Sequence, residues 1–254
     1  MTASSLRRAA AVGAAVGGGP RRRPESGGYA RGDEVRSRIL LAAIKLFGEQ
    51  GFDRASTRAI AADAGVNPPA IQYYFHNKDR LHQACGQFIV DRIQSHLRLP
   101  MRRVAETLGA RDRAAVPQTL WLLMETVVDR SADDSDIPGW ARFLNQAAFE
   151  VTDTSVALIH NEAVLPMCDA IAALIALAWN RQESDEAARL AAVLLLGQTR
   201  AFGIQRDITM AMVGWSDFED GRLDLCKNFL RSQMAFVLAT PFTADKASHP
   251  EFHS

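Results

Sequence analysis

The sequence predicts an all-α protein, with a three-helix domain near the N-terminus followed by a larger helical domain. After residue 33, apolar residues recur three and four positions apart, which is the period of an amphipathic helix. No run of alternating apolar and polar residues indicates a strand. With 48% of its 254 residues apolar, the chain can bury a core of the size that two such domains need.

Residues 1–32 consist mainly of Ala, Gly, Arg and Pro without apolar periodicity, so we predict a disordered N-terminal extension. It is basic, with six arginines and one acidic residue, Glu25. Two interpretations are open: an arm that contacts DNA phosphates or a minor groove, or an overlong start to the reading frame. The apolar run at residues 9–19 contains no Leu, Ile or Phe, so it is too weakly hydrophobic for a signal peptide. No stretch of the sequence is long and apolar enough to predict a membrane span.

The stretch from Asp33 to Gln50 predicts the first helix. Its apolar residues fall on one side, and Gly51 follows as the residue that ends it. This helix is expected to support the two shorter helices that come next. The stripe is formed by Val35, Ile39, Ala42, Ala43, Leu46 and Phe47.

Residues 56–75 predict two short helices joined by a tight turn. Ser56 or Thr57 can cap the first helix through a side-chain oxygen, and Gly65 follows its end. Asn67 can cap the second helix, whose first turn holds two prolines that lose no hydrogen bond there. Two helices with Gly in a short turn have the helix-turn-helix geometry, in which the second helix enters the DNA major groove.

The run from Ile39 to Leu81 resembles the N-terminal domain of TetR-family transcriptional regulators. The matching pieces are ILLAAIKLFGEQGFDRASTRAIAADAGV and, after the turn, AIQYYFHNKDRL. The alternative is a generic helical hairpin. The sequence departs from the family at Pro68 and Pro69, where a small polar residue and a small or glycine-like residue are usual. Two prolines can make only apolar contacts, for example to thymine methyl groups.

The resemblance implies a DNA-binding domain at residues 33–80. Lys78 would pair with a phosphate just past the recognition helix, and Thr57 would donate to another. Arg58 could reach a phosphate or a guanine edge, and Gln72 is the best direct reader because its amide can bond adenine in a bidentate manner. The predicted DNA-binding residues are Ser56, Thr57, Arg58, Asn67, Pro68, Pro69, Ala70, Gln72, Tyr73, Tyr74, His76 and Lys78.

A long helix is predicted from Asp79 to about Leu99, bounded by Pro100, and it would link the two domains mechanically. We assign residues 81–242 to the second domain and residues 243–254 to a flexible tail. The remaining helices are predicted at roughly 101–109, 117–131, 138–152, 155–180 with an interruption at Pro166, 185–205, 207–213 and 217–239.

The segments ARFLNQAAFEVTDTSVALIHNEAVLPMCDAI and LLLGQTRAFGIQRDITMAMVGW are similar to the C-terminal domain of the CecR-type branch of the TetR family. The resemblance implies that this domain binds a small molecule and dimerises through its last long helices. Each residue chosen for these roles could instead be plain core. The candidate ligand-binding residues are Trp121, Met124, Trp140, Arg142, Phe143, Gln146, Met167 and Arg200, and the candidate dimer residues are Leu190, Val193, Leu194, Gly197, Phe229 and Phe236.

The sequence carries no catalytic or nucleotide-binding motif, so no enzyme, cofactor or metal site is predicted. Its three isolated cysteines fit a reducing cytosol. The resulting hypothesis is a cytoplasmic, homodimeric repressor that binds a palindromic operator in double-stranded DNA. A small hydrophobic or amphipathic effector would release it. The alternative is a DNA-binding activator, or a regulator controlled by a protein partner.

Overall fold

In a computed structural model, the described residues are 27–133, 139–148, 154–203, 205–219 and 221–241. They form helices and turns and no strand, which confirms the all-α prediction. A 3₁₀ turn at Arg113–Ala115 precedes α5, and a π-turn at His160–Val164 joins α7 to α8. The helices are α1 (Gly27–Arg54), α2 (Thr57–Asp63), α3 (Pro68–Phe75), α4 (Lys78–Gly109), α5 (Val116–Ala132), α6 (Trp140–Ala148), α7 (Thr154–Ile159), α8 (Leu165–Ala178), α9 (Glu186–Thr199), α10 (Arg206–Val213) and α11 (Arg222–Ala239).

Helix α1 begins at Gly27, inside the stretch that was predicted to be disordered, whereas residues 1–26 and the tail 243–254 lie outside the described residues. The predicted break at Gly51 is confirmed, because its φ of 79° and ψ of 163° are not helical. Only glycine adopts that backbone conformation without strain. One further turn then leads to Arg54 and to α2.

The N-terminal core is built from α1 to α4 together with one buried residue each from α6 and α7. Phe47 of α1 is fully buried against Phe143 of α6, and Ile159 of α7 belongs to the same cluster. Gly48 permits this close packing, because a Cβ there would lie 2.8 Å from the backbone nitrogen of Phe143. The helices after the predicted DNA-binding domain therefore complete its core.

The prediction that Pro100 ends the fourth helix is wrong, since α4 runs through Pro100 to Gly109. A proline inside a helix costs about 3 kcal/mol through a lost hydrogen bond and a steric clash. Here Leu97 and Val104, one turn to either side, are both buried in the C-terminal core. Burial of this continuous apolar face outweighs the local cost.

The interruption predicted near Pro166 takes the form of a π-turn rather than a break. Residues His160–Val164 widen the helix by one residue just before Pro166, which occupies the first turn of α8. A single π-turn inside an α-helix often marks a functional site. Helices α7 and α8 thus form one continuous element with a local bulge.

Helix α8 lies at the centre of the C-terminal core, packed against α4, α5 and α9. The segment Thr154–Ala178 is long and apolar enough, by length and composition alone, to cross a membrane. However, 44% of its most apolar window is buried inside the protein, and Leu174 and Ile175 are fully buried. Its composition is accounted for by its position as a core helix.

Two predicted boundaries differ because tertiary contacts and glycines end the helices. Helix α9 ends at Thr199, and the following turn buries Gly203, where an added Cβ would lie 3.2 Å from the Cβ of Ser131. Helix α11 begins only at Arg222, after Gly221 with its left-handed φ of 76°. The chain between α9 and α11 is therefore less helical than its apolar pattern predicts.

Candidate nucleic-acid interface and ligand cavity

Helix α2 presents its N-terminus to solvent. The Ser56 hydroxyl oxygen accepts a hydrogen bond from the Ala59 backbone nitrogen at 3.1 Å, so Ser56 is the N-cap. Thr57 is half-buried and Arg58 is exposed. Free backbone N–H groups at a helix start favour a nearby phosphate, so this end of α2 has the polarity that a DNA backbone contact requires.

Helix α3 has one face in the core and one face open. Ile71 and Phe75 are buried, whereas Gln72 is exposed on the other side. Asn67 precedes the helix and makes no capping hydrogen bond with its side chain. Its amide therefore stays available to an external partner. The first turn after it holds the two exposed prolines, Pro68 and Pro69.

The open face of α3 also carries the two tyrosines. Tyr73 is 78% exposed, and its ring meets the half-buried Tyr74 ring edge to face, with centroids 5.0 Å apart. Ala70 is half-buried between this face and the core. His76 ends the helix with a left-handed φ of 68° and is exposed. A large exposed aromatic next to amide and hydroxyl groups suits contacts with DNA sugars and bases.

Lys78 is held more firmly than the sequence indicates. Its ammonium nitrogen donates to the Asp53 carbonyl oxygen at 3.1 Å and lies 4.5 Å from the centre of the Phe52 ring. Asn77 caps α4 by accepting from the Arg80 backbone nitrogen at 2.8 Å. A lysine ammonium has three donors, so Lys78 can tether α4 to the end of α1 and still donate to a phosphate.

A cavity of about 370 Å³ lies among α4, α5, α6, the α7–α8 element and α9. Its volume falls within the range of small-molecule sites. Apolar side chains form most of the wall, and the π-turn contributes His160 and Val164. The other aliphatic lining residues are Ile89, Ile93, Leu97, Val127, Leu144, Ile159, Leu165, Val193 and Leu196.

Three of the residues predicted to bind a ligand line this cavity, namely Trp140, Met167 and Arg200. The side chain of Gln146 lies outside the described residues. Sequence reasoning did not single out Arg92 or Arg130, which also line the cavity. Both are exposed, and only their position in the cavity lining distinguishes them from other surface arginines.

Four other residues predicted for the ligand site lie elsewhere. Met124 is fully buried in the C-terminal core, and Phe143 is buried in the N-terminal core. Trp121 is half-buried on α5 beneath a guanidinium of α11 rather than in the cavity wall. Arg142 forms an ion pair with Asp207 at 3.2 Å. Apolar character alone did not separate cavity wall from filled core.

An aromatic joint connects the DNA-binding half to the rest of the protein. The ring of His82, buried on α4, lies with its centroid 4.8 Å from those of Phe47 and Phe143. Its Nδ1 is 3.0 Å from the Ser155 hydroxyl on α7. Gly86 lets α7 approach, since a Cβ there would be 2.9 Å from the Cβ of Ser155. Helices α1, α4, α6 and α7 therefore meet at one tightly packed point.

An apolar stripe on α9 and α11 faces outward. On α9, Leu190, Val193 and Leu194 are more than half exposed and recur at helical spacing, with the exposed Gly197 continuing the row. Val193 and Gly197 also line the cavity, so the stripe and the cavity adjoin on this helix. On α11 the exposed members are Phe229, Phe236 and Leu225, the last of which sequence reasoning missed. Contiguous exposed apolar surface on a folded chain marks an interaction site more often than chance exposure does.

Catalytic and metal chemistry finds no support in the described part of the chain. No group of three or more His, Cys, Asp or Glu side chains there is placed to hold a metal ion. The three cysteines are free thiols, and burial raises the pKa of Cys85 well above its usual range. That thiol stays protonated and acts as a small apolar core residue.

A helix-turn-helix with an open polar face, attached to a larger helical domain that contains a cavity, is the fold of a class of DNA-binding transcriptional regulators. The family model for the bacterial regulatory proteins of the tetR family matches residues 39–85. The model of the C-terminal domain of the HTH-type transcriptional dual regulator CecR matches residues 117–240. The chain belongs to the TetR family of DNA-binding transcriptional regulators, in the branch with a CecR-type C-terminal domain.

Individual relatives agree with this assignment. The chain is 28% identical over 212 residues to the dual regulator CecR of Shigella flexneri, covering 82% of this chain and 93% of that protein. It is 36% identical over 96 residues to the transcriptional activator FasR of Mycolicibacterium smegmatis, a match that covers 36% of this chain and 43% of that protein. A transcriptional regulator from Rhodococcus sp. Rha1 shares the fold, with a TM-score of 0.55 and 19% identity over 80% of this chain and 96% of that one.

Proposed function

We propose that the protein is a cytoplasmic, homodimeric repressor that binds a palindromic operator and leaves it when a small molecule fills the cavity. The observation that carries this proposal is the position of the cavity against α4. Ile89, Ile93 and Leu97 of that helix line the cavity, and the N-terminus of the same helix adjoins α3. One rigid element thus touches both sites.

The open face of α3 supports sequence-specific binding to DNA. Gln72, Asn67 and Tyr73 form a polar surface opposite the buried face, and α2 packs against the same helix. A single helix-turn-helix contacts only one half-site, so tight operator binding requires two copies related by a two-fold axis. The proposed operator is therefore a pseudo-palindrome with half-sites one or more helical turns apart.

The exposed stripe of α9 and α11 supports dimerisation. Two such helices from each copy could pair into a four-helix bundle, which would bury the apolar side chains that are open in one chain. A two-fold interface uses the same patch on both copies and fits the symmetry of a palindrome. The proposed dimer residues are those predicted from sequence, with Leu225 added.

The proposed release passes through the joint at His82. A ligand in the cavity would press on α4 and on the π-turn at His160–Val164. That turn follows α7, whose Ser155 is hydrogen-bonded to His82. A small pivot of α4 would then change the separation of the two recognition helices in the dimer. The ligand acts only if it favours one of the two arrangements.

Activation of transcription is the second candidate function, because two relatives are named as a dual regulator and an activator. The Shigella flexneri relative is a dual regulator, and the Mycolicibacterium smegmatis relative is an activator. Dimeric DNA binding would be common to both functions, and they differ only in where the operator lies relative to a promoter. Control by a protein partner remains the alternative to control by a small molecule.

The experiment that tests the proposal is selection of genomic fragments bound by the purified full chain, followed by footprinting. A repressor should protect a palindrome that overlaps a promoter, and an activator should protect one upstream of it. A Gln72→Ala variant processed in parallel controls for non-specific retention. Recovery of fragments without a shared palindrome would contradict the proposal.

A further inference from the structure

We propose that the cavity binds an amphipathic anion, with an apolar body against α4 and α8 and an acidic head at the arginines of α5 and α9. This inference rests on the proposed function in treating the cavity as the effector site. It goes further by naming the chemical class of the effector. The geometry of the lining carries it.

The deep part of the wall suits an apolar body. Ile89 and Ile159 are fully buried there, and Met167 is nearly so. Trp140 adds an aromatic surface to the same wall. Binding against these side chains removes apolar ligand atoms from water, which stabilises the complex. A ligand that is polar throughout would lose hydration there without compensation.

The charged side chains of the lining are mainly cationic. Arg92, Arg130 and Arg200 line the cavity, whereas Asp133 is the one acidic residue among the described residues of the lining. The formal charge of the described lining residues is therefore positive even with His96 and His160 neutral. A cavity with this balance attracts an anion and disfavours a cation.

Arg200 is the guanidinium best placed to receive a ligand. It is the C-terminal cap residue of α9 and lines the cavity. In the described ranges no carboxylate pairs with its side chain. The ion pair that Arg130 makes within the described part of the chain is long, 3.9 Å from its Nη1 to Asp133. Both guanidinium groups therefore retain donors for the bidentate geometry that carboxylate, sulfonate and phosphate groups accept.

These two halves define one ligand class. A neutral hydrophobe would leave the arginines unused, and an amphipathic cation would meet them with like charge. An amphipathic anion satisfies both parts of the lining at once. The head chemistry is shared by carboxylates, sulfonates and phosphate esters, so the inference concerns an acidic head on an apolar body.

A matched pair of fluorescent probes tests the charge directly. The anion 8-anilinonaphthalene-1-sulfonate and the neutral N-phenyl-1-naphthylamine share one aromatic body and differ by the sulfonate. Titration of the full chain should give tighter binding of the anion by about tenfold or more, the size expected of charge-assisted hydrogen bonds. Equal or tighter binding of the neutral probe would overturn the inference.

A pair of variants tests whether Arg130 and Arg200 bind the acidic head. Arg130→Gln together with Arg200→Gln should weaken the anionic probe by about tenfold or more and leave the neutral probe unchanged. The control is Arg189→Gln, because Arg189 also lies on α9 but pairs with Asp169 at 2.9 Å, outside the cavity lining. If the double variant and the control behave alike, the arginines do not bind the head and the inference fails.

A third measurement separates this inference from the proposed function. Both probes are added to the complex of the protein with its operator. If only the anion displaces DNA, both proposals are supported. If both probes displace DNA equally, the proposed release by a ligand is supported and the inference that the effector is an anion is overturned. If the anion binds through the arginines but leaves DNA bound, the ligand class is supported and the proposed release is contradicted.

Discussion

The side chains of α3 divide between two environments because a helix has about 3.6 residues per turn. Ile71 and Phe75, four positions apart, point into the core, and Gln72 and Tyr73 therefore face solvent. Position within the turn, rather than residue type alone, decides which side chains can meet DNA. This reasoning could be applied to the sequence directly, and it indicated Gln72 as the base reader.

Replacing Gln72 with Ala should cost about 1–3 kcal/mol of binding free energy at one base pair of the operator, since one bidentate contact is lost. Binding to the operator and to its single-base variants would be compared by fluorescence anisotropy. Gln87→Ala is the control, because Gln87 is exposed on α4 and bonded to Asp91. An equal loss on every sequence would show that Gln72 does not read a base.

Replacing Lys78 with Ala should weaken binding to all sequences and reduce the salt slope of the affinity by about one unit, because one phosphate contact is lost. Loss of the hydrogen bond to the Asp53 carbonyl should also lower the melting temperature. Lys78→Met keeps an aliphatic side chain beside Phe52, so it separates the effect of losing the charge from the effect of losing this packing. An unchanged salt slope in both variants would mean that the ammonium serves only as a tether.

At the level of elements, local signals predicted the helix-turn-helix well. A capping serine, a glycine after a short helix and prolines in a first turn act within a few residues, so the sequence displays them. The passage of α4 through Pro100 could not be predicted in this way, because it depends on burial against helices distant in the chain. The same holds for Phe143, whose partner Phe47 lies on α1.

Asp185 fixes the start of α9, the helix that connects the cavity to the proposed dimer face. Its carboxylate accepts from the Ala188 backbone nitrogen at 2.9 Å and pairs with Arg181 at 3.3 Å. The hydrogen bond from Ala188 first, and then Arg181, hold the pKa of this carboxyl below its usual range. Replacing it with Ala should cost about 1 kcal/mol of stability, as for other N-caps.

The lowered pKa also gives the sign of the pH dependence. The folded state favours the charged carboxylate, so its contribution is present above the unfolded pKa and is lost as pH falls through the lowered folded value. Asp185→Asn keeps a capping oxygen but should remove this part of the acid sensitivity. Urea denaturation of the wild-type protein and of Asp185→Asn, measured from neutral to acidic pH, would show this difference. Identical dependence of the unfolding free energy on pH in both proteins would contradict the prediction.

At the level of the whole molecule, the fold consists of two apolar cores that share α4. Leu81 and Cys85 belong to the N-terminal core, and Leu97 and Val104 belong to the C-terminal one. The sequence indicated α4 as a link between two domains. It did not indicate that residues of α6 and α7 complete the first core, so the two halves are more tightly joined than two domains on a linker.

The proposed dimer face is tested by two neighbouring leucines. Leu194 is 60% exposed and Leu195 is 1% exposed. Leu194→Glu should leave the chain folded and dissociate the dimer, because it places an unpaired charge in the interface alone. Leu195→Glu should destabilise the fold by about 3–5 kcal/mol, because it buries that charge in the core.

Sedimentation and circular dichroism distinguish these outcomes. The expected result for Leu194→Glu is a folded monomer with weak operator binding, since one copy contacts one half-site. A wild-type chain that is monomeric and fully active would contradict the dimer. A Leu194→Glu variant that remains dimeric would place the interface elsewhere on the surface.

The cavity was the part of the site least accessible from sequence. Trp140, Met167 and Arg200 were indicated, but Met124 and Phe143 have the same apolar character and fill cores instead. Whether a side chain lines a void or fills it depends on the arrangement of several helices around it, and helical periodicity does not carry that information. Arg92 and Arg130 of the lining could not be recognised from the sequence for the same reason.

The central claim is that one helix couples the cavity to DNA, and reciprocal titration tests it most directly. The affinity of the tightest ligand found by probe displacement is measured with and without saturating operator. Coupling of this kind is about 1–3 kcal/mol, so operator DNA should weaken ligand binding about 5–150-fold, and the ligand should weaken operator binding by the same factor. Identical ligand affinity in both conditions would contradict the claim, however tightly the ligand binds.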